Sequence, residues 1–344
     1  MTHYNLALLG FGNVGQSLAR LLLRKAPSLA ADYNLTFTIT AIGTARHGMA
    51  TDPQGLDIEH ALHLASMGES LARLTAQPAP SDAFELLRLS VANVLFENTP
   101  VNYHTGQPAL GYLRAALELG MHAITANKGP VVHGYQELTR LARQRGRKFY
   151  FESAVMDGAP IFSLFRQALP AAALRGFRGI LNSTTNLILG RMETGESLEQ
   201  AITYAQSIGI AETDPSGDID GWDAAVKVAA LVTVLMGIPL LPEQVERQGI
   251  RAITPQDITA ACQQGQRWKL VCTARREGTG VHAQVTPLRV SPDSPLYGVE
   301  GTSSIVTFEM DVLSQLSIVE GNPGPETTAY GLLADFINAT RGDS

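Results

Sequence analysis

The chain has 344 residues, 45% hydrophobic and 17% charged, with a formal net charge of −6, enough apolar material to fill two domains and too little charge for a disordered protein. The acidic balance (pI near 5.8) and the lack of any Lys/Arg-rich run argue against broad nucleic-acid binding and against attachment to anionic membranes. Two cysteines, Cys262 and Cys272, form no C-x-x-C pair and no metal-ligand cluster, which excludes a disulfide-built secreted fold and fits a reducing cytoplasm.

Asn5–Leu9 is a short apolar run. Gly10-Phe11-Gly12-Asn13-Val14-Gly15 follows it, and then Gln16–Lys25 with helical periodicity, so the N-terminus predicts strand, glycine turn, helix. Leu35–Ile42, rich in β-branched and aromatic residues, predicts a second strand, and Gly43–Gly55 a polar loop. Val91–Glu97 and His122–Thr125 read as further strands, Ala109–Leu119 and Leu138–Arg145 as helices, and Lys148–Glu152 again as strand. This alternation predicts an α/β fold with a Rossmann-type doubly wound parallel sheet. Beyond Glu152 the texture changes. Phe177–Leu181 resembles a strand, Leu198–Ile208 a helix, and Asp220–Met236 a long, very apolar helix. The most apolar stretch of the chain is Val228–Leu241, and its 14 residues fall short of the ~20 a bilayer requires. Trp268–Arg275, Gly280–Val290 and Ser303–Met310 alternate as antiparallel strands do, and Thr327–Ala339 predicts a last helix. The expected division is 1–151 for a nucleotide-binding domain, 152–317 for a second, α+β domain, and a C-terminal segment 318–344.

The G-x-G-x-x-G run has a physical rationale at each glycine. The first permits the turn, the second lets the backbone approach a pyrophosphate, and the third allows close helix–strand packing, while the helix N-terminus offers unpaired N–H groups to the anion. The tip of the second strand, Gly43-Thr44-Ala45-Arg46-His47, has no acid until Asp52. NAD sites usually place a carboxylate there for the ribose hydroxyl, whereas Arg46 can pair with a 2′-phosphate. NADP is therefore preferred over NAD.

Five acids lie between Glu212 and Asp223, and Lys227 follows four residues after Asp223. Asp220 is the expected N-cap and Asp223 sits in the first turn, where the helix dipole favours a carboxylate. From Ala224 to Leu235 the sole charge is Lys227. A helix apolar on every face is normally buried, and a buried ammonium needs a partner, so an Asp223–Lys227 pair suits proton transfer better than a solvated surface role. Lys128, in Thr125-Ala-Asn127-Lys128-Gly129-Pro130, follows a strand and precedes a glycine–proline turn. That is the carboxyl end of a strand, where α/β sheets bind ligands.

GFGNVG, TANKGP, the stretch GILNSTTNLIL at Gly179–Leu189, and the run from Glu212 through Asp223 to Lys227 resemble homoserine dehydrogenase, in the same order and over nearly the whole chain. The resemblance implies NAD(P)-dependent interconversion of L-homoserine and L-aspartate 4-semialdehyde, within threonine and methionine biosynthesis. Lys128 and Lys227 would handle the proton at the substrate oxygen. Glu212 and Asp223 would hold the substrate's ammonium and hydroxyl, with Thr184 and Ser183 in the substrate loop, and Thr99 and Lys128 would join the glycine turn around the nucleotide. It also implies a sodium ion near Glu152, Val155, Asp157 and Ala159, and a homodimer. Met156, Asp157 and Ser183 stand where the family usually has glycine, and Gly321-Asn322-Pro323-Gly324 only loosely follows its pattern before the final helix. These departures keep open a related dehydrogenase acting on another small hydroxy or amino acid. The retained Lys128, Asp223 and Lys227 speak against a non-catalytic dinucleotide sensor. The chain corresponds to the short form without an ACT regulatory domain, for which little inhibition by threonine is expected.

Overall fold

In the computed structural model, Met1–Arg341 are described. They form two compact units, Met1–Pro160 with Gly324 onward, and Ile161–Pro323. The first unit contains β1 (Thr2–Leu9), β2 (Leu35–Thr44), β3 (Gly48–Thr51), β4 (Val94–Glu97), β5 (His122–Thr125) and β6 (Phe149–Tyr150), in the sheet order β3-β2-β1-β4-β5-β6. β1 pairs in parallel with both β2 and β4, β4 with β5, and β5 with β6. The direction of winding thus reverses beside β1, the place where doubly wound sheets open a crevice at the carboxyl ends of their strands.

Leu6–Leu9 of β1 and all of β4 and β5 are buried, as in a parallel sheet whose two faces are both covered by helices. Leu6, Leu8, Phe96 and Ile124 pack with Leu18 and Leu22 of the helix Asn13–Tyr33 and with Leu332 and Phe336 of the helix Pro325–Thr340. Phe336 is fully buried, edge-on to Tyr4 and Phe96 with ring centroids 5.8 Å away in each case.

The second unit holds β7 (Leu174–Ile180), β8 (Glu246–Arg247), β9 (Arg267–Glu277), β10 (Gly280–Val290), β11 (Ser304–Met310) and β12 (Leu316–Glu320), in the order β12-β11-β7-β9-β10-β8. It is antiparallel apart from the short β8–β10 pair. No helix among the described residues is long and apolar enough to cross a membrane.

The structure departs from the sequence expectations where local signals mislead. The loop expected over Gly43–Gly55 contains β3, folded back antiparallel on β2 through the turn at Thr44–Gly48. Gly129-Pro130 is not a turn but the first turn of the helix Lys128–Gln144, capped by Asn127. Proline is tolerated there because the first N–H groups of a helix have no intrahelical acceptor. The expected helix Asp220–Met236 is divided. Asp220 closes the short helix Ser216–Ile219, Gly221 at φ +79° is the N-cap of the helix Trp222–Leu231, and Val232–Met236 continues it with π-type turns. The units also divide at Pro160 and Gly324 rather than at 151/152 and 317/318. The segment 152–160 is tied to the C-terminal helix by a Ser153 hydroxyl donating to the Thr328 carbonyl (2.7 Å) and by the Glu152 N–H donating to Asp335 (2.6 Å). At the other end, β12 pairs with β11 and so belongs with the second unit.

Candidate active site

In the first unit the glycine turn follows β1 and opens the helix Asn13–Tyr33. Gly10 has φ +95°, and a Cβ on it would lie 2.3 Å from the Asn98 carbonyl oxygen; a Cβ on Gly15 would lie 2.2 Å from the Gly10 carbonyl oxygen. Both positions therefore require glycine for internal packing. Gly12 differs, because a Cβ there would meet nothing within 4 Å. Gly12 is the exposed N-cap and has no side chain to satisfy the first helical N–H groups. Phe11 is buried, Asn13 exposed and Val14 half-buried against the core. Open space above Gly12 and unpaired N–H groups beneath it fit an anionic pyrophosphate. The nucleotide would be held there by Gly10–Gly15.

Arg46 is exposed in the turn between β2 and β3, its N–H donating to the Thr44 hydroxyl (3.1 Å). The nearest acid in sequence, Asp52, is engaged elsewhere, accepting from the Gln54 N–H (2.9 Å) and the Thr75 hydroxyl (3.3 Å). On the far side of β1, Thr99 follows β4 and Lys128 opens the helix after β5, with its Nζ 6.0 Å from the Tyr103 ring centroid.

In the second unit the acid–lysine constellation assembles around Asn182. Asn182 is the N-cap of the helix Ser183–Met192, its side-chain oxygen accepting from the Thr185 N–H at 2.8 Å. Its amide nitrogen donates to Asp218 (2.6 Å) and to Asp223 (3.0 Å). Lys227 Nζ lies 3.1 Å from the same Asp223 oxygen and donates to the Leu181 carbonyl at 2.7 Å. The side chains of Lys227 and Asp223 are only 15% and 10% exposed, which excludes the solvated surface pair. Every other residue from Asp223 to Val232 is buried, as the apolar sequence demands.

Burial, and then the negative charge of Asp223, push the Asp218 carboxyl above its ordinary value, against the opposing pull of the Asn182 amide and the Lys227 ammonium. Two carboxylates on one amide beside one ammonium form a cluster in which acids outnumber cations, a setting suited to a cationic group. In the sequence Asp218 is one of the five acids between Glu212 and Asp223, and nothing in the run itself singles it out. Asn182 could have identified it, since an N-cap asparagine keeps an amide that needs acceptors.

The remaining candidates spread along the same unit. The Thr184 hydroxyl donates to the Ile210 carbonyl (3.4 Å), and that of Ser183 lies 3.4 Å from the Ser304 hydroxyl. Glu212 is exposed on the loop after Ala211, its carbonyl accepting from the Gln206 side chain. In the first unit Glu152, Val155 and Ala159 are buried and Asp157 is half-buried at φ +34°. Among the described residues no three or more His, Cys, Asp or Glu side chains group as metal ligands. A cation in this turn would therefore rest on backbone carbonyls with the Glu152 carboxylate, a donor set suited to a hard monovalent ion and not to a transition metal.

A glycine turn fit for a dinucleotide on a doubly wound sheet, with a largely covered lysine–aspartate pair in a second unit, fits a nicotinamide-dependent oxidoreductase. Residues 10–152 match the NAD-binding domain of homoserine dehydrogenase, and residues 160–337 match the homoserine dehydrogenase family itself. The chain is 34% identical to the NAD(+)-dependent homoserine dehydrogenase of Pseudomonas canavaninivorans, over 98% of this chain and 96% of that one. It is also 34% identical to the homoserine dehydrogenase of Methanocaldococcus jannaschii, over 97% and 98%. Among solved structures, a homoserine dehydrogenase from Thiobacillus denitrificans superposes with a TM-score of 0.84 at 27% identity, covering 99% of this chain and 74% of that one. The chain belongs to the homoserine dehydrogenase family.

Proposed function

We propose that the chain interconverts L-homoserine and L-aspartate 4-semialdehyde, a step in threonine and methionine biosynthesis, with Lys227 transferring the proton at the substrate oxygen. The observation that carries this reading is the setting of Lys227. Two of its three N–H groups are directed to Asp223 and Leu181, and the third has no partner among the described residues. When bound, the nicotinamide supplies the hydride chemistry. In reduction, the Lys227 ammonium gives its third N–H to the aldehyde oxygen and stabilises the charge that develops there; in oxidation, the amine takes the hydroxyl proton. Lys128 takes part in the proton transfer as the second lysine of this reading. Asp223 and Glu212, with Asp218, hold the substrate's ammonium and hydroxyl, while Thr184 and Ser183 line its loop. Thr99 and Gly10–Gly15 hold the nucleotide, sodium occupies the Glu152–Ala159 turn, and the working form is a homodimer.

NADP is the preferred nucleotide on this reading, supported by exposed Arg46 and by the engagement of Asp52 within its own turn. A second reading, NAD preference, is favoured by the NAD(+)-dependent relative from Pseudomonas canavaninivorans. Assay of both directions with homoserine and the semialdehyde, using each nucleotide and a panel of small hydroxy acids, tests the whole proposal. Turnover of another hydroxy acid in preference to homoserine overturns the substrate assignment.

A further inference from the structure

Glu97 ends β4 and is completely buried. Burying a carboxylate costs several kcal/mol unless it is well bonded, so its partners show what it does. One carboxylate oxygen accepts from the Thr99 N–H at 2.8 Å and from the Thr99 hydroxyl, and the other accepts from the Thr125 hydroxyl at 2.7 Å. The Thr125 oxygen in turn accepts from the Asn127 N–H at 2.9 Å. Asn127 then closes the circuit in two directions. Its amide donates to the Thr99 carbonyl (3.2 Å), and its side-chain oxygen caps the helix at the Gly129 N–H (3.0 Å). The circuit therefore links the loop after β4, which carries Thr99, to the start of the helix whose first residue is Lys128.

We infer that Glu97 is a positioning residue that locks Thr99 and Lys128 in a single geometry for the nucleotide and the substrate oxygen. This rests on the functions proposed above for those two residues. An exposed salt bridge could not do this work, because long side chains in water do not fix a backbone. A sealed carboxylate that accepts from both loops does, since any displacement of one loop strands a buried donor away from water. Burial pushes the Glu97 carboxyl up, against the Thr99, Thr125 and Asn127 hydrogen bonds, which is the balance expected of a carboxylate solvated by neutral donors. The sequence shows none of this, since a single Glu at a strand end has no periodic signature.

The test compares Glu97→Ala, Glu97→Gln and wild type by calorimetric titration with NADPH and with NADH, by steady-state kinetics and by thermal unfolding. Glu97→Ala is expected to raise the nucleotide Kd and lower kcat, each at least 10-fold, with the homoserine KM within about 2-fold of wild type. Glu97→Gln, which keeps the volume and one acceptor, should recover nucleotide affinity to within about 3-fold of wild type. A lowered melting temperature with unchanged Kd and kcat per folded molecule overturns the inference, as does an equal rise in both Michaelis constants. Should Glu97→Ala fail to fold, Thr125→Val removes the middle link alone and must shift Kd and kcat in the same directions by at least 3-fold. Wild-type protein inert toward homoserine would defeat the functional reading, while the Kd comparison would still decide the role of Glu97.

Discussion

The Lys227 ammonium donates to the Leu181 carbonyl at 2.7 Å, which fixes a flexible four-carbon side chain beside the N-cap of the helix Ser183–Met192. Asp223 holds it from one turn earlier. Pre-organisation of this kind suits the proton transfer proposed for Lys227, because the entropy of ordering the chain is lost on folding and not on binding.

Lys227→Ala is therefore expected to lower kcat by about 10²-fold or more, with nucleotide affinity unchanged. Steady-state kinetics paired with nucleotide titration checks both halves. A normal turnover rate would remove Lys227 from the mechanism.

Gly12 and Gly15 should separate binding from folding. Gly12→Val places a side chain in open space, so its melting temperature should match wild type while nucleotide affinity falls by an order of magnitude or more. Gly15→Ala drives a Cβ into the Gly10 carbonyl and should destabilise the whole unit, by about 1–3 kcal/mol on the scale of overpacked cores. Thermal unfolding with and without nucleotide distinguishes the two variants.

Arg46→Ala should raise the KM for NADP at least several-fold and leave that for NAD nearly unchanged, because only the 2′-phosphate needs the guanidinium. Equal effects on both nucleotides would refute the NADP preference.

Lys269 offers a pH signature. It is 2% exposed, and burial, then the neighbouring Arg267, lower its pKa to about 8, against the pull of Glu193 and Glu300. Its ammonium donates to Asn186 and Val299. An unfolded lysine titrates near ~10.4, so between about 8 and that value the unfolded chain binds the extra proton. This site then makes folding stability rise with pH across the window and contributes no slope below it. Urea unfolding between these two limits should show that rise in wild type, relative to Lys269→Met. A constant difference between the two proteins would contradict the shift.

Much of this was legible in the sequence because it is periodic or punctuated. The strand–glycine–helix start, the all-apolar helix around Lys227 and the final helix follow from patterns that obey backbone geometry. What was not legible depends on contacts distant in the chain. β3 is short and lies within a stretch that reads as loop, and only its pairing with β2 makes it a strand. Gly129-Pro130 signals a turn locally, yet the Asn127 cap turns it into a helix start. Asp218 and Glu97 acquire roles only when Asn182 and Thr125, dozens of residues away, bring them donors.

The helix Pro325–Thr340 carries Phe336 into the first unit, between rings from β1 and β4. A ribosome emits β1 more than three hundred residues before this helix, so the nascent nucleotide domain must wait through that stretch with a gap in its apolar interior. During synthesis the second unit can finish before the first, reversing the order in which their N-terminal ends appear.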